Sequence, residues 1–232
     1  MRSHEAWTLV HQIGHPFSLS FALMFAAMFH QFRCEGRVVQ ERAEAAIRLA
    51  QDQGFPYCRA FGALMRGWAL AQQGQAQAGI EQLQQGLIAY RATGAETLRP
   101  YWLALLAEAH GIMGQPEAGL TALVEALTLV DTTGERWYES EIYRLKGELL
   151  LQQHADNQAE AEACFHHALD IARNQQAKSL ELRAAMSRAR LWQQQRKRAD
   201  AYELLAPIYG WFTEGFDTAD LQEAQALLDA LA

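Results

Sequence analysis

Apolar residues recur along this chain at three- and four-residue spacing, and glycine or proline interrupts the pattern at regular intervals. In the stretch 98–134, Leu103, Leu106, Ala107 and His110 share one side of a 3.6-residue helix. Gly114 then supplies a stop and Pro116 a first-turn residue that loses no hydrogen bond. A second helix follows, with Gly119, Leu123, Ala126, Leu127 and Val130 on its inner side. The pattern predicts a helical hairpin. A single hairpin leaves part of its apolar stripe uncovered, so the same pattern also predicts stacked neighbours.

Those neighbours are legible as a repeat. Gly14, Gly54, Gly94 and Gly134 stand 40 residues apart, each placed to end a helix in the left-handed conformation. Aligning the units on them gives columns of small residues where helices must approach closely. The first-helix column reads Ala27, Gly67, Ala107, Gly147 and Ala189. The second helices give Val39, Gly79, Gly119, Ala161 and Ala201, then Ala46, Gly86, Ala126, Ala168 and Ile208. Between these two runs lies a larger series, Ala43, Leu83, Leu123, Phe165 and Leu205, the alternation expected of interdigitating helices.

The units are placed at 15–54, 55–94, 95–134, 135–176 and 177–213, within a single repeat domain covering 1–232. Residues 1–14 read as a half-repeat whose first helix is missing, as though the chain opens in mid-repeat. The fourth unit carries two extra residues near His154 to Asn157, and the fifth replaces the turn glycine with Arg196. Residues 214–232 read as a capping helix, entered through Asp217 to Asp220 and bearing Leu221, Ala224, Leu227, Leu228 and Leu231 on one face.

This arrangement of small and large columns resembles the tetratricopeptide (TPR) repeat, over about Leu19 to Phe212, with a period of 40 residues in place of the usual 34. The resemblance implies an all-α, right-handed α-solenoid of about five hairpins; a HEAT-like solenoid is the alternative architecture. The segments 141–151, 161–173 and 204–217 are more specific, ending in Leu-Leu-Ala-Pro-Ile-Tyr-Gly-Trp-Phe-Thr-Glu-Gly-Phe-Asp. They resemble the C-terminal repeat region of large bacterial predicted ATPases, many of which also carry a class III adenylate or guanylate cyclase domain. What that implies is a sensory or scaffold arm, with catalytic domains upstream.

Composition agrees with an all-helical chain: half the residues are hydrophobic, with only 5 prolines and 16 glycines in 232 residues. A formal net charge of -7 argues against nucleic acid as partner. The apolar run 17–29 is too short to span a membrane, and the first residues lack signal-peptide features. Cys34, Cys58 and Cys164 read as buried free thiols of a cytoplasmic protein. No phosphate-cradling glycine motif is present, so no cofactor is expected. Cys164 and His167 are spaced as a metal pair without further ligands at matching spacing, and both fall on an outer helix surface in the repeat register. His30 and His110 occupy a column suited to a packed ring. The basic run Arg188 to Arg198 reads as a solvated turn.

In the resembled repeat, certain first-helix positions line a concave surface. Here they fall on Phe21, Met24, Met28 and Phe32, then Phe61, Leu64 and Trp68, then Tyr101 and Glu108, and finally Glu141, Arg144, Glu148, Arg183 and Arg190. Such a groove is apolar toward the N-terminus and charged toward the C-terminus, a surface for a protein or peptide partner. Core packing is the competing role for the Phe and Met residues, and an intramolecular ladder with Glu141 and Glu148 is the competing role for the arginines. The expected function is a non-catalytic interaction or regulatory module, its partner a peptide, upstream ATPase or cyclase domains, or a second copy through the Phe21 to Phe32 face. The alternatives are a structural spacer or self-association element and, behind it, a metal-dependent enzyme at Cys164 and His167.

Overall fold

The structure is a computed structural model that describes residues 14–232; the half-repeat expected at 1–14 otherwise lies outside the described residues. Eleven α-helices and no strand occur among them. Two compact units meet in sequence between Thr97 and Leu98. The first contains the hairpins α1 (Pro16–Phe32) with α2 (Gly36–Gln53) and α3 (Pro56–Gln72) with α4 (Ala76–Ala92). The second contains α5 (Arg99–Ile112) with α6 (Pro116–Thr133), α7 (Glu139–Gln153) with α8 (Gln158–Asn174), α9 (Lys178–Gln194) with α10 (Arg198–Tyr209), and a final helix α11 (Ala219–Leu231). Within each unit every helix packs on its neighbours in sequence. The first helices of successive hairpins also touch, α1 with α3, then α5 with α7 and α7 with α9, and α9 in turn with α11.

The small-residue columns are where the helices meet. A Cβ built on Gly79 comes within 2.6 Å of the Gly67 carbonyl oxygen, and one built on Gly67 within 3.0 Å of the Gly79 carbonyl oxygen. The two glycines therefore let α3 and α4 lie backbone to backbone. In the second unit a Cβ on Gly119 falls 2.7 Å from a Leu149 methyl and 3.1 Å from the Ala107 carbonyl oxygen, and one on Gly147 strikes the Phe165 ring. Leu83, Leu123, Phe165 and Leu205, the large residues between the small columns, are fully buried. The stripe Leu221, Ala224, Leu227, Leu228 and Leu231 of α11 is also buried, as its spacing predicts. Thr218 is its N-cap residue, but the Thr218 hydroxyl donates to the Gly215 carbonyl instead of accepting from the helix.

Turn geometry is set by left-handed residues. Gly14, Gly54, Gly94 and Gly134 all have φ between 64° and 81°, as their position in the repeat requires. The turns inside the second and third hairpins repeat the device, with Gly74 and Gly114 at positive φ. At the equivalent place the first hairpin has Cys34 (φ 58°) and the fifth Arg196 (φ 64°), while Gln176 (φ 55°) follows α8 where other units place glycine. These side-chain-bearing residues keep the same closing bonds, the Glu35 N–H donating to the His30 carbonyl and the Lys197 N–H to that of Trp192. The extra residues of the fourth unit form a single 3-10 turn, Ala155–Asn157, and Asn157 Nδ2 donates to the Leu150 carbonyl at 3.1 Å.

The thiols follow the expectation in part. Cys58 and Cys164 are buried, but Cys34 is exposed because the hairpin turn carries it. The expected solvent position of Cys164 is also corrected: it packs with Leu150, Ala161, Phe165 and Leu191, whereas His167 is exposed on the same helix. No helix among the described residues is long and apolar enough to cross a membrane.

Replacing Gly119 by Leu is expected to overpack the α5–α6 contact and cost roughly 1–3 kcal/mol in urea unfolding. Arg196→Gly relieves a left-handed side-chain conformation that costs roughly 1–2 kcal/mol, against a smaller entropic loss from glycine in the unfolded chain. It should leave the midpoint unchanged or raise it, whereas Gly134→Ala should lower it.

Candidate interaction surface

The positions expected to line a groove separate into two groups. Phe61, Leu64 and Trp68 on α3 are at most 1 % exposed, and Tyr101 on α5 is fully buried. They are core residues, not groove residues: their apolar area is already removed from water by the helices of the fold. Met24 and Met28 are likewise buried, while Phe21 and Phe32 are half-buried. In the second unit Tyr101 meets Tyr138 edge-to-face at 4.9 Å and Trp137 at 5.3 Å. Burial pushes both the Tyr101 and the Tyr138 hydroxyl well above the usual tyrosine range.

Glu141, Arg144, Glu148 and Arg183 form one connected network on α7 and α9 that reaches α11 through Asp220, while Arg190 makes a separate pair with Glu223. Helical spacing brings Glu141, Arg144 and Glu148 to one face of α7. Arg144 Nε donates to Glu141 Oε2 at 2.9 Å, its Nη2 to Oε1 at 2.7 Å, and its Nη1 to Glu148. Ser187 Oγ, from α9, donates to the same Glu148 oxygen at 2.8 Å. Arg183 lies 3.5 Å from Glu141 Oε1 and donates through Nε to Asp220 Oδ2 at 2.8 Å. Farther along α9, Arg190 Nη2 donates to Glu223 at 2.7 Å.

Glu141 is 3 % exposed and Arg183 8 %. Burial raises the Glu141 carboxyl, but the adjacent Arg144 and Arg183 charges more than offset it and hold its pKa below the ordinary 4.5. Burial alone would lower the Arg144 pKa; the Glu141 and Glu148 charges reverse that and hold it well above its ordinary value. Glu108, half-buried on α5, adds a further negative charge that acts on Arg144. The arginines expected to face a ligand are thus engaged by carboxylates of the chain itself. The ladder with Glu141 and Glu148 is realised, and Asp220 of α11 extends it through Arg183.

Sequence reasoning missed Ser187 and Asp220 as members of this network, and Glu223 as the partner of Arg190. Asp220 carried a signal, an acid in the first turn of a terminal helix, but its partner lies on a helix two elements away. Arg188 belongs to a separate arrangement, its guanidinium 4.3 Å from the Trp192 ring centre, with Trp192 Nε1 donating to Glu162 at 2.7 Å. His30 is a half-buried boundary residue in contact with Glu35, whereas His110 is buried, its Nδ1 2.9 Å from Gln115 Oε1.

No protein-family model and no curated protein matches the sequence. Solved structures do. A crystal structure of Podosopora anserina putative kinesin light chain nearly identical TPR-like repeats is 17% identical, with 93% of this chain and 97% of that chain covered and a TM-score of 0.56. A variant of the same repeats is 18% identical over 84% of this chain and 95% of that one, with a TM-score of 0.58. The apo form of RapI is 10% identical over 98% and 86%, with a TM-score of 0.60. The fold is TPR-like. At these identities the likeness speaks for the α-solenoid class of helical hairpins and for nothing finer.

The buried network makes stability depend on acid. Glu141 has a lowered folded pKa, so its contribution is present above the unfolded value of about 4.5 and is lost as pH falls through the folded value. Wild-type protein is therefore expected to lose stability progressively below about pH 4.5. Glu141→Gln leaves two buried guanidiniums short of charge and should cost roughly 3–5 kcal/mol at pH 7 while flattening the acid limb of the stability curve.

Proposed function

We propose that this chain is a non-catalytic protein-interaction or regulatory module whose partner is a protein or peptide. The observation that carries the reading is the surface left by TPR-like hairpins whose cores are already closed. Large aromatic side chains remain about half exposed, among them Phe17, Phe25, Phe29, Trp211 and Phe216. Glu108, Glu148 and Arg190 are the members of the charged columns that retain exposure, and we assign them to the rim that selects the partner, with Glu141, Arg144 and Arg183 as the rigid layer behind.

The setting we propose is cytoplasmic, with control of ATPase or cyclase output. The wording of 141–151 and 204–217, similar to the repeat arms of such regulators, supports it. A second reading, self-association, is favoured by α1. Phe17 (44 % exposed) and Phe25 (51 %) each contact Phe21, and Phe29 (46 %) lies a helical turn beyond Phe25 on the same helix.

Partner capture followed by hydrogen exchange tests the first reading. Protection is expected on α5, α7 and α9, and Glu108→Lys with Glu148→Lys should weaken capture at least tenfold. Sedimentation tests the second. A monomer at every concentration removes self-association, whereas a dimer abolished by Phe25→Glu, with no partner captured, overturns the first reading.

A further inference from the structure

The second unit contains a cleft that the charged columns do not use. Arg173, Gln176, Lys178, Ser179, Trp211 and Phe212 enclose an open volume of about 700 Å³ between the α8–α9 turn and the segment after α10. The left-handed Gln176 makes this wall possible. By reversing the chain within a few residues, it brings Arg173 from the last turn of α8 beside Lys178 from the first turn of α9.

Both cations hold one acid. Arg173 Nε donates to Glu181 Oε1 at 3.0 Å and Lys178 Nζ to Oε2 at 2.7 Å. Glu181 is buried and does not line the cleft. Burial would raise its carboxyl, but Lys178 and Arg173 draw it below the usual range, so it remains a single negative charge shared between two positive ones. The wall thus keeps one net positive charge, on a chain whose formal charge is -7. Trp211 faces it, 57 % exposed, with Lys178 Nζ 5.7 Å from its ring centre.

The remaining polar groups of the lining are mostly donors. Among the described residues, the two Nη groups of Arg173, Trp211 Nε1, Ser179 Oγ and the Gln176 side-chain amide have no protein partner. No carboxylate lines the cleft. An anion alone would meet only half-exposed cations, whose attraction water and salt largely screen. An anion joined to an apolar group would also cover Trp211 and Phe212, and the area removed from water would hold it there. A basic or phosphate-rich polymer fits poorly, the first because of the wall and the second because of the acidic remainder of the chain.

We propose that this cleft takes an acidic segment of a protein partner. A carboxylate of the segment engages Arg173 and Lys178, and a neighbouring aromatic or aliphatic side chain lies on Trp211 and Phe212. This assignment deepens the protein-interaction reading and rests on it.

Fluorescence anisotropy on the full chain tests it, with a labelled dodecapeptide of alternating glutamate and phenylalanine as the probe. Saturable binding is expected, weakened at least tenfold by Lys178→Glu and by Trp211→Ala and unchanged within twofold by Arg37→Gln, a change at an exposed α2 residue outside the cleft. The same peptide with glutamine in place of glutamate should bind at least tenfold more weakly. Far-ultraviolet circular dichroism identifies any variant that fails to fold. Independently, the indole N–H resonance that Trp211→Phe removes should shift when the peptide is added to wild type. Equal binding by wild type and both variants, or by the glutamine peptide, overturns the cleft assignment and leaves the interaction module standing. Displacement by inorganic phosphate at the concentration that phosphate alone needs to bind shows a small-anion site and also overturns it. No binding of the probe overturns it as well, while partner capture decides the broader reading separately.

Discussion

The close approach of paired helices is the constraint from which the rest of the structure follows. Where Gly67 faces Gly79, neither position has room for a Cβ, because each would collide with the other's backbone carbonyl. That contact fixes how deeply α4 settles on α3, and so which residues become core. Once the helices are this close, Leu83 has a fixed space to fill, and it fills it completely. The second unit makes the same bargain with other atoms, Gly119 against Ala107 and Gly147 against the Phe165 ring. Interior density of this kind explains why Phe61, Leu64, Trp68 and Tyr101 are drawn inward: a large apolar side chain beside a tight helix pair loses its water for little cost.

The second unit spends its inner face differently. Burying Glu141 beside Arg144 and Arg183 removes hydration from all three groups, and only multiple hydrogen bonds in good geometry offset that loss. The network meets this condition. Arg144 is bidentate on Glu141 and reaches Glu148, while Arg183 bridges Glu141 and Asp220. Such a network adds little net stability compared with packed apolar residues, but it penalises misaligned stacking of α7, α9 and α11, since a slip of one turn would strand a buried charge.

Much of this was legible in the sequence because packing repeats. The columns from Ala27 to Ala189 and from Gly79 to Ala201 located the helix contacts, and the spacing of Leu221, Ala224, Leu227, Leu228 and Leu231 located the buried face of α11. The site was less legible, for a physical reason. A repeat register says which residues share a column but not whether the neighbouring helices leave that column in water, so Trp68 and Glu108 looked equivalent. Pairing between columns was equally hidden, because the Arg183 partner Asp220 stands outside the repeat, and the Arg173 partner Glu181 lies across a turn. The exposure of Cys34 depended on a left-handed turn formed without the glycine that announces one.

That turn has a wider consequence. Cys34, Gln176 and Arg196 adopt a conformation their own side chains disfavour, yet the closing hydrogen bonds match those at Gly74 and Gly114. The bend must then be imposed from outside, by helices that have already found their partners, and the local residue merely complies. Connections governed this way are free to differ in identity, and the fourth hairpin differs in length as well, closing through the 3-10 turn Ala155–Asn157 instead. In such an array, novelty enters at the seams: a new loop grafted at a turn would inherit a rigid foundation without having to encode one.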